Sequence, residues 1–183
     1  MHGIEETGNR ALGPQGLEPP RPGHRIAAAV GELLRQRRES LALAESCTGG
    51  LIAAAMTTVE GSSDYLWGSA VVYSAAAKQT IVGLDQAILD EYGTVSRETT
   101  AALAAGVKEI SGATHGLAVT GWAGPGGGTE ADPVGTVYLA ISSPDGVDTQ
   151  RLSFKGERQE VRELALMSAL EWLHLKLAGG RSP

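Results

Sequence analysis

The sequence holds a single cysteine, Cys47, and so can form no disulfide within the chain. That fits a reducing compartment and a fold held by packing alone. Aromatic side chains are scarce, at 4%, while 25 residues are glycine, so the core is expected to be small-residue and tightly approached. No apolar run comes near the roughly 18–20 residues that a membrane-spanning helix needs. The opening MHGIEETGNR lacks the charged-then-apolar layout of a secretory signal. Positive charge is also in deficit: 15 basic against 21 acidic residues give a net charge of −6. This argues against an extended nucleic-acid surface and leaves room only for a small basic site, such as one for a phosphate. The expectation is a cytoplasmic enzyme or binding protein with no direct nucleic-acid or membrane partner. What is present, 42% hydrophobic and 20% charged residues over 183 positions, suits one globular domain with a sizeable core.

Residues 1–24 are dense in Gly and Pro, and PQGLEPPRPG cannot continue a helix or a central strand because its prolines lack amide donors. They are read as a disordered tail, with a domain over 25–178 and a short tail over 179–183. From Arg25 onward Ile26, Val30, Leu33 and Leu34 share a helical face. Leu41 to Ala44 reads as a short buried strand, followed by a helix from after Thr48 to Met56. WGSAVVYS, residues 67–74, reads as a second strand, with a short helix at AAAKQTI. Asp85 can cap a helix through Glu91, and Ser96 another to about Ile110. HGLAVTG is a third strand, GWAGPGGGTEADP a glycine-rich loop, and VGTVYLAIS with VDTQRLSF a hairpin closed by a longer loop around Pro144–Gly146. A last helix spans 157–177, its buried stripe predicted as Val161, Leu164, Ala165, Ser168, Trp172 and Leu175. Strands alternating with helices predict an α/β sheet covered on both faces, the hairpin adding antiparallel character.

In such sheets ligands gather outside the carboxyl ends of the strands. Ser46 follows the first strand, Tyr73 and Ser74 close the second, and Thr120 closes the third, so one edge collects hydroxyl groups. Within AESCTGG, residues 44–50, two readings stand together. Ser46 or Thr48 can cap a helix, with Gly49 and Gly50 shaping the turn, or Ser46 can be a nucleophile beside helix amides that stabilise an oxyanion. A nucleophile needs a base. His2 and His24 lie in or near the tail, His174 near the end of the last helix. His115 begins the third strand, about 16 Å from the active edge at ~3.3 Å per residue. Cys47 thus lacks a histidine partner and reads as a small packed side chain. Lys78, among Ala75, Ala76, Ala77 and Ile81, is either an ordinary solvated lysine or a desolvated amine able to act as a base. The loop glycines Gly124, Gly126, Gly127 and Gly128 can approach a ligand closely or form an amide nest for phosphate. Neither a dinucleotide fingerprint nor a Walker motif is present. Arg158 is a phosphate-ligand candidate or, with Arg162, one of an exposed pair beside Glu160 and Glu163. No His, Cys and carboxylate set has metal-ligand spacing, so no metal or other cofactor is expected.

AESCTGGLIA, GSSDY, VVYSAAAK, YGTVS, AVTGWAGPGGG, PVGTVYLA and FKGER with the VR and AL that follow, in this order, resemble the CinA C-terminal domain family. That family includes nicotinamide mononucleotide deamidases. The resemblance spans roughly residues 25–177. It implies a three-layer α/β/α sandwich with a mixed, largely parallel sheet, and self-association as a homodimer or higher homo-oligomer. It also implies hydrolysis of the carboxamide of nicotinamide mononucleotide, a small-molecule substrate, in pyridine nucleotide salvage. Larger family members carry a further N-terminal domain, and this chain looks like the stand-alone form. By this resemblance Ser46 is the nucleophile, and Tyr73 and Lys78 activate it. Thr48, Gly49, Gly50, Thr120, Gly124, Gly126, Gly127, Gly128 and Arg158 bind substrate. Two positions depart from the family pattern. Ala75 stands where Asn usually follows the YS pair, which would leave Lys78 less well positioned. Trp122 replaces a smaller aliphatic residue and would narrow the pocket or pack outside it. They motivate the alternative of a catalytically weak nucleotide-binding or competence-associated interaction module.

Overall fold

The computed structural model describes residues 23–179. Most of the expected N-terminal tail and the last four residues lie outside that range. Helix α1 (His24–Arg37) opens on Gly23, whose φ of 87° makes it a left-handed N-cap, so these two residues belong to the domain and not to the tail. The chain continues through β1 (Leu41–Glu45), α2 (Leu51–Thr57), β2 (Leu66–Val71), α3 (Ala75–Val82), α4 (Gln86–Tyr92) and α5 (Arg97–Ser111). It then forms β3 (His115–Gly121), the hairpin β4 (Thr136–Ser143) and β5 (Gly146–Ser153), and α6 (Arg158–Leu177). The five strands form one sheet in the order β2-β1-β3-β4-β5. β1 pairs in parallel with β2 and β3, while β4 pairs antiparallel with β3 and β5, so only β4 runs against the rest.

Alternation along the strands splits the core into two unlike layers. Leu41, Leu43, Leu117, Val119, Leu139 and Ile141 pack under α1, α2 and α6. The opposite face offers Ala42, Ala44, Ala118 and Ala140 to α5 and α3. These alanines let α5 settle close to the sheet, and at Gly116 the approach is extreme: a Cβ there would lie 2.1 Å from the Ala104 carbonyl oxygen. The scarcity of aromatics is thus explained on the α5 side, where the space between layers admits only small side chains.

The caps Asp85 and Ser96 accept from the amides of Ala87 and Thr99 as their sequence positions predict. Helix α6 begins one residue after its expected start, with Glu157 and Glu160 forming a reciprocal capping box. Other expectations need correction. Helix α2 starts at Leu51 and not just after Thr48. β2 ends at Val71, which frees Ser74 to cap α3. Where Leu41 and Ala42 face Leu66 and Gly68 the register slips, bulging out Trp67, which is 58% exposed. The hairpin closes at Ser143 opposite Gly146, so only Pro144 and Asp145 lie in the turn, shorter than the expected loop. Leu164 and Leu175 of α6 are exposed, and Leu166, Ala169, Leu170 and Leu173 supply the buried stripe instead. That stripe is wider than the single face the sequence suggests because α6 packs on both α1 and the sheet.

Candidate active site

Ser46 stands at the carboxyl end of β1, its amide donating to the Val119 carbonyl of β3 at 3.0 Å. From there the chain must turn sharply into α2, and Gly49 and Gly50 supply the positive φ angles, 62° and 95°. The helix is capped by neither Ser46 nor Thr48. Glu45, fully buried, reaches back beneath the turn instead: one carboxylate oxygen accepts from Gly50 N at 2.9 Å and Ile52 N at 3.1 Å. The other accepts from Ala53 N at 2.9 Å and Ser69 Oγ at 3.1 Å. An internal anion therefore already satisfies the positive end of α2. This corrects the expectation that α2 amides would hold an oxyanion, and it releases the Ser46 hydroxyl from any capping duty.

Lys78 is not a solvated lysine. Ser74 Oγ accepts from Ala77 N at 3.1 Å and starts α3 so that Lys78, one turn in, faces the sheet and is 1% exposed. Its Nζ donates to the Val72 carbonyl at 2.7 Å and approaches Ser46 Oγ at 3.4 Å. Burial lowers the lysine pKa from its ordinary value of 10.5, because the ammonium loses its water. The Val72 carbonyl, a backbone group, seats the amine, so its placement does not wait on a side-chain amide at position 75.

At the rim, Arg158 at the start of α6 joins two segments far from it in sequence. Its guanidinium donates to the Gly124 carbonyl at 2.7 Å and to the Tyr73 hydroxyl at 2.9 Å. Because that phenol oxygen accepts from Arg158, its own proton remains free to be donated into the cleft. Ser46, Lys78, Tyr73, Arg158, Gly124 and Gly126 all line one cleft of about 200 Å³, open at its mouth. Thr94 and Val95, from the turn before α5, complete it beside Cys47 and Trp122.

The remaining substrate-binding candidates do not line the cleft. Thr48 is fully buried and its hydroxyl has no hydrogen-bond partner among the described residues. Thr120 is fully buried against Thr100. Gly127 packs on the Trp122 ring, 2.6 Å from a would-be Cβ, and Gly128 packs on the backbone of residues 132–134. Trp122 therefore lines the cleft and also stiffens the glycine loop. Burial pushes the Cys47 thiol up to about 11, which keeps it protonated and poorly nucleophilic. His115 pairs with Glu39 at 2.7 Å, and no histidine among the described residues lines the cleft. Two residues that order the site carried little sequence signal. Glu45 closes the apolar strand LALAE, a place where an unpaired carboxylate would be costly. Arg162, read as surface, donates through Nε to the Cys47 carbonyl at 3.1 Å and through a terminal nitrogen to the Thr48 carbonyl at 2.8 Å.

Fold and cleft together define a three-layer α/β/α domain with a buried serine–lysine pair at the carboxyl edge of its parallel strands. Residues 23–177 match the CinA C-terminal domain model, and the chain belongs to that family. It is 52% identical over 153 residues to a CinA-like protein of Myxococcus xanthus, covering 82% of this chain and 36% of the relative. A CinA-like protein of Geotalea uraniireducens is 44% identical over 160 residues, covering 87% of this chain and 38% of the relative. The chain thus spans a little over a third of the length of these relatives. Among solved structures, the competence/damage inducible protein CihA of Agrobacterium tumefaciens superposes with a TM-score of 0.82 at 36% identity, over 90% of this chain and 99% of that one. The competence damage-inducible protein A of Klebsiella pneumoniae gives 0.83 at 32% identity, over 87% and 99%.

Proposed function

We propose that this domain is an amidohydrolase that converts nicotinamide mononucleotide to nicotinate mononucleotide and ammonia. The observation that carries the reading is the buried Lys78 amine 3.4 Å from Ser46 Oγ at the floor of an open cleft. A desolvated lysine favours its neutral form and can take the serine proton as Oγ attacks the carboxamide carbon. The tetrahedral intermediate then expels its nitrogen, which receives that proton from Lys78 and leaves as ammonia, with an ester left on Ser46. Water, deprotonated by the same amine, attacks the ester carbonyl and frees the carboxylate and the serine. With the α2 amides occupied by Glu45, amides of the nucleophile turn or the glycine loop are left to stabilise the oxyanion. Arg158, with the Tyr73 hydroxyl beside it, offers the charge and donors that a phosphate requires.

Ammonia release across nicotinamide mononucleotide, free nicotinamide and unrelated small amides tests this reading. Turnover should be highest with the mononucleotide, and Arg158→Ala should raise KM for it about 10–100-fold with a smaller change in kcat. Equal turnover of free nicotinamide would contradict the assignment of Arg158. Trp122, which lines the cleft, supports a second reading, that of a nucleotide-binding module with weak or no catalysis. Calorimetric binding of the mononucleotide without ammonia release would favour it.

A further inference from the structure

On the α5 side of the sheet, behind the cleft, a buried chain of oxygens has one donor-to-acceptor direction. Thr100 Oγ1 lies 2.6 Å from the Ser96 carbonyl oxygen and 2.7 Å from Thr120 Oγ1. A carbonyl only accepts, so Thr100 spends its one proton on Ser96. The proton between the two threonines must then come from Thr120. Both side chains are fully buried, so water does not offer either an alternative partner. The acceptor end is fixed as well, since the Ser96 carbonyl is held in the first turn of α5 by Thr100 N at 3.1 Å. With its proton spent, Thr120 Oγ1 has only lone pairs left to present.

Thr120 is the neighbour of Ser46 across the sheet. Glu45 pairs with Val119, and Ser46 N donates to Val119 O, which carries the parallel ladder one step further and sets Ser46 opposite Thr120. Adjacent strands lie about 4.8 Å apart, and residues opposite each other project to the same face. That face is also the one covered by α3, which carries Lys78.

We propose that Thr100 is a positioning residue: by consuming the Thr120 proton it fixes Thr120 as an acceptor-only oxygen toward the Ser46–Lys78 pair. The cation formed when Lys78 takes the Ser46 proton then meets a lone pair and not a second hydroxyl proton. Neither can Thr120 donate to Ser46 Oγ and occupy the electron pair that must attack. This inference rests on reading Ser46 as a nucleophile and Lys78 as its base, and it does not depend on which amide is hydrolysed.

A double-mutant cycle on Thr100→Val and Thr120→Val tests it, with Thr100→Ser as the conservative variant. Two rates are read on the full chain: kcat for ammonia release from nicotinamide mononucleotide, and labelling of Ser46 by a fluorophosphonate, which needs the same first proton transfer. Thr100→Val should lower both rates by roughly three- to thirtyfold with KM nearly unchanged, and Thr100→Ser should stay within about twofold. In the Thr120→Val background, Thr100→Val should cost nothing more, because no hydroxyl is left to misdirect. Urea midpoints give a separate check: Thr100→Val strands a buried hydroxyl and lowers the midpoint, and adding Thr120→Val should restore part of it. Multiplicative losses in the cycle, or a Thr100→Val protein that only loses stability, would overturn the proposal. A wild-type chain that labels at Ser46 but releases no ammonia defeats the substrate assignment alone, and the cycle is then decided on labelling. Failure of the wild type to label at Ser46 defeats both.

Discussion

Lys78 shows how a residue type with an ordinary fate becomes chemical through placement. Nothing in VVYSAAAK distinguishes a surface lysine from a buried one, because both suit a short alanine-rich helix. Burial at 1% exposure and the Val72 carbonyl decide the matter. With its folded pKa lowered below 10.5, Lys78 binds fewer protons in the folded chain than in the unfolded one between those two values. Stability contributed at this residue therefore rises with pH across that window and levels off above about 10.5. Lys78→Met should remove that rise, so the wild-type urea midpoint should climb relative to that of the variant as pH approaches 10.5. It should also abolish most turnover at neutral pH. A difference that stays flat over the window would mean Lys78 is not desolvated. Ser46 and Lys78 were both visible as candidates in the sequence. Arg162 was not, since its partners are carbonyl groups more than a hundred residues away, which no local pattern encodes.

At the scale of elements, the turn from β1 into α2 was half legible. Gly49 and Gly50 announced a turn, but the residue that satisfies the helix start stands before the turn, where capping rules do not look. Glu45→Gln keeps the shape and replaces one acceptor oxygen with a donor aimed at amide donors. It should lower the unfolding free energy by about 1–3 kcal/mol and depress kcat, read from urea denaturation and ammonia release. Unchanged stability would show that the Glu45 hydrogen bonds are not holding the turn. Helices α4 and α5 start where the sequence predicts because Asp85 and Ser96 act on amides two and three residues on, within the reach of a sequence pattern. The packing of α5 on its alanine layer was predicted only as small-residue character. Gly116→Ala would push a methyl group into the Ala104 carbonyl and should cost at least the ~1–3 kcal/mol typical of overpacking. Gly126→Ala, which meets no atom within 4 Å, is the matched control and should leave the melting temperature unchanged.

For the whole molecule, strand order does what sequence periodicity cannot. β1 and β3, separated by 69 residues, become neighbours and bring Ser46 beside Thr120, while α6 returns across the edge to set Arg158 against Tyr73 and Gly124. The expected sandwich and the gathering of hydroxyls at the carboxyl edge were legible because alternating strands and helices restrict topology strongly. Which hydroxyls face the cleft was not, because it depends on register: Ser46 reaches the cleft and Thr48 does not. Ser46→Ala separates a nucleophilic Ser46 from a structural one. The variant should keep the wild-type melting temperature, because that hydroxyl caps nothing, and should lose at least about a thousandfold in kcat for ammonia release from nicotinamide mononucleotide. A folded Ser46→Ala protein with turnover within tenfold of wild type would contradict the nucleophilic role.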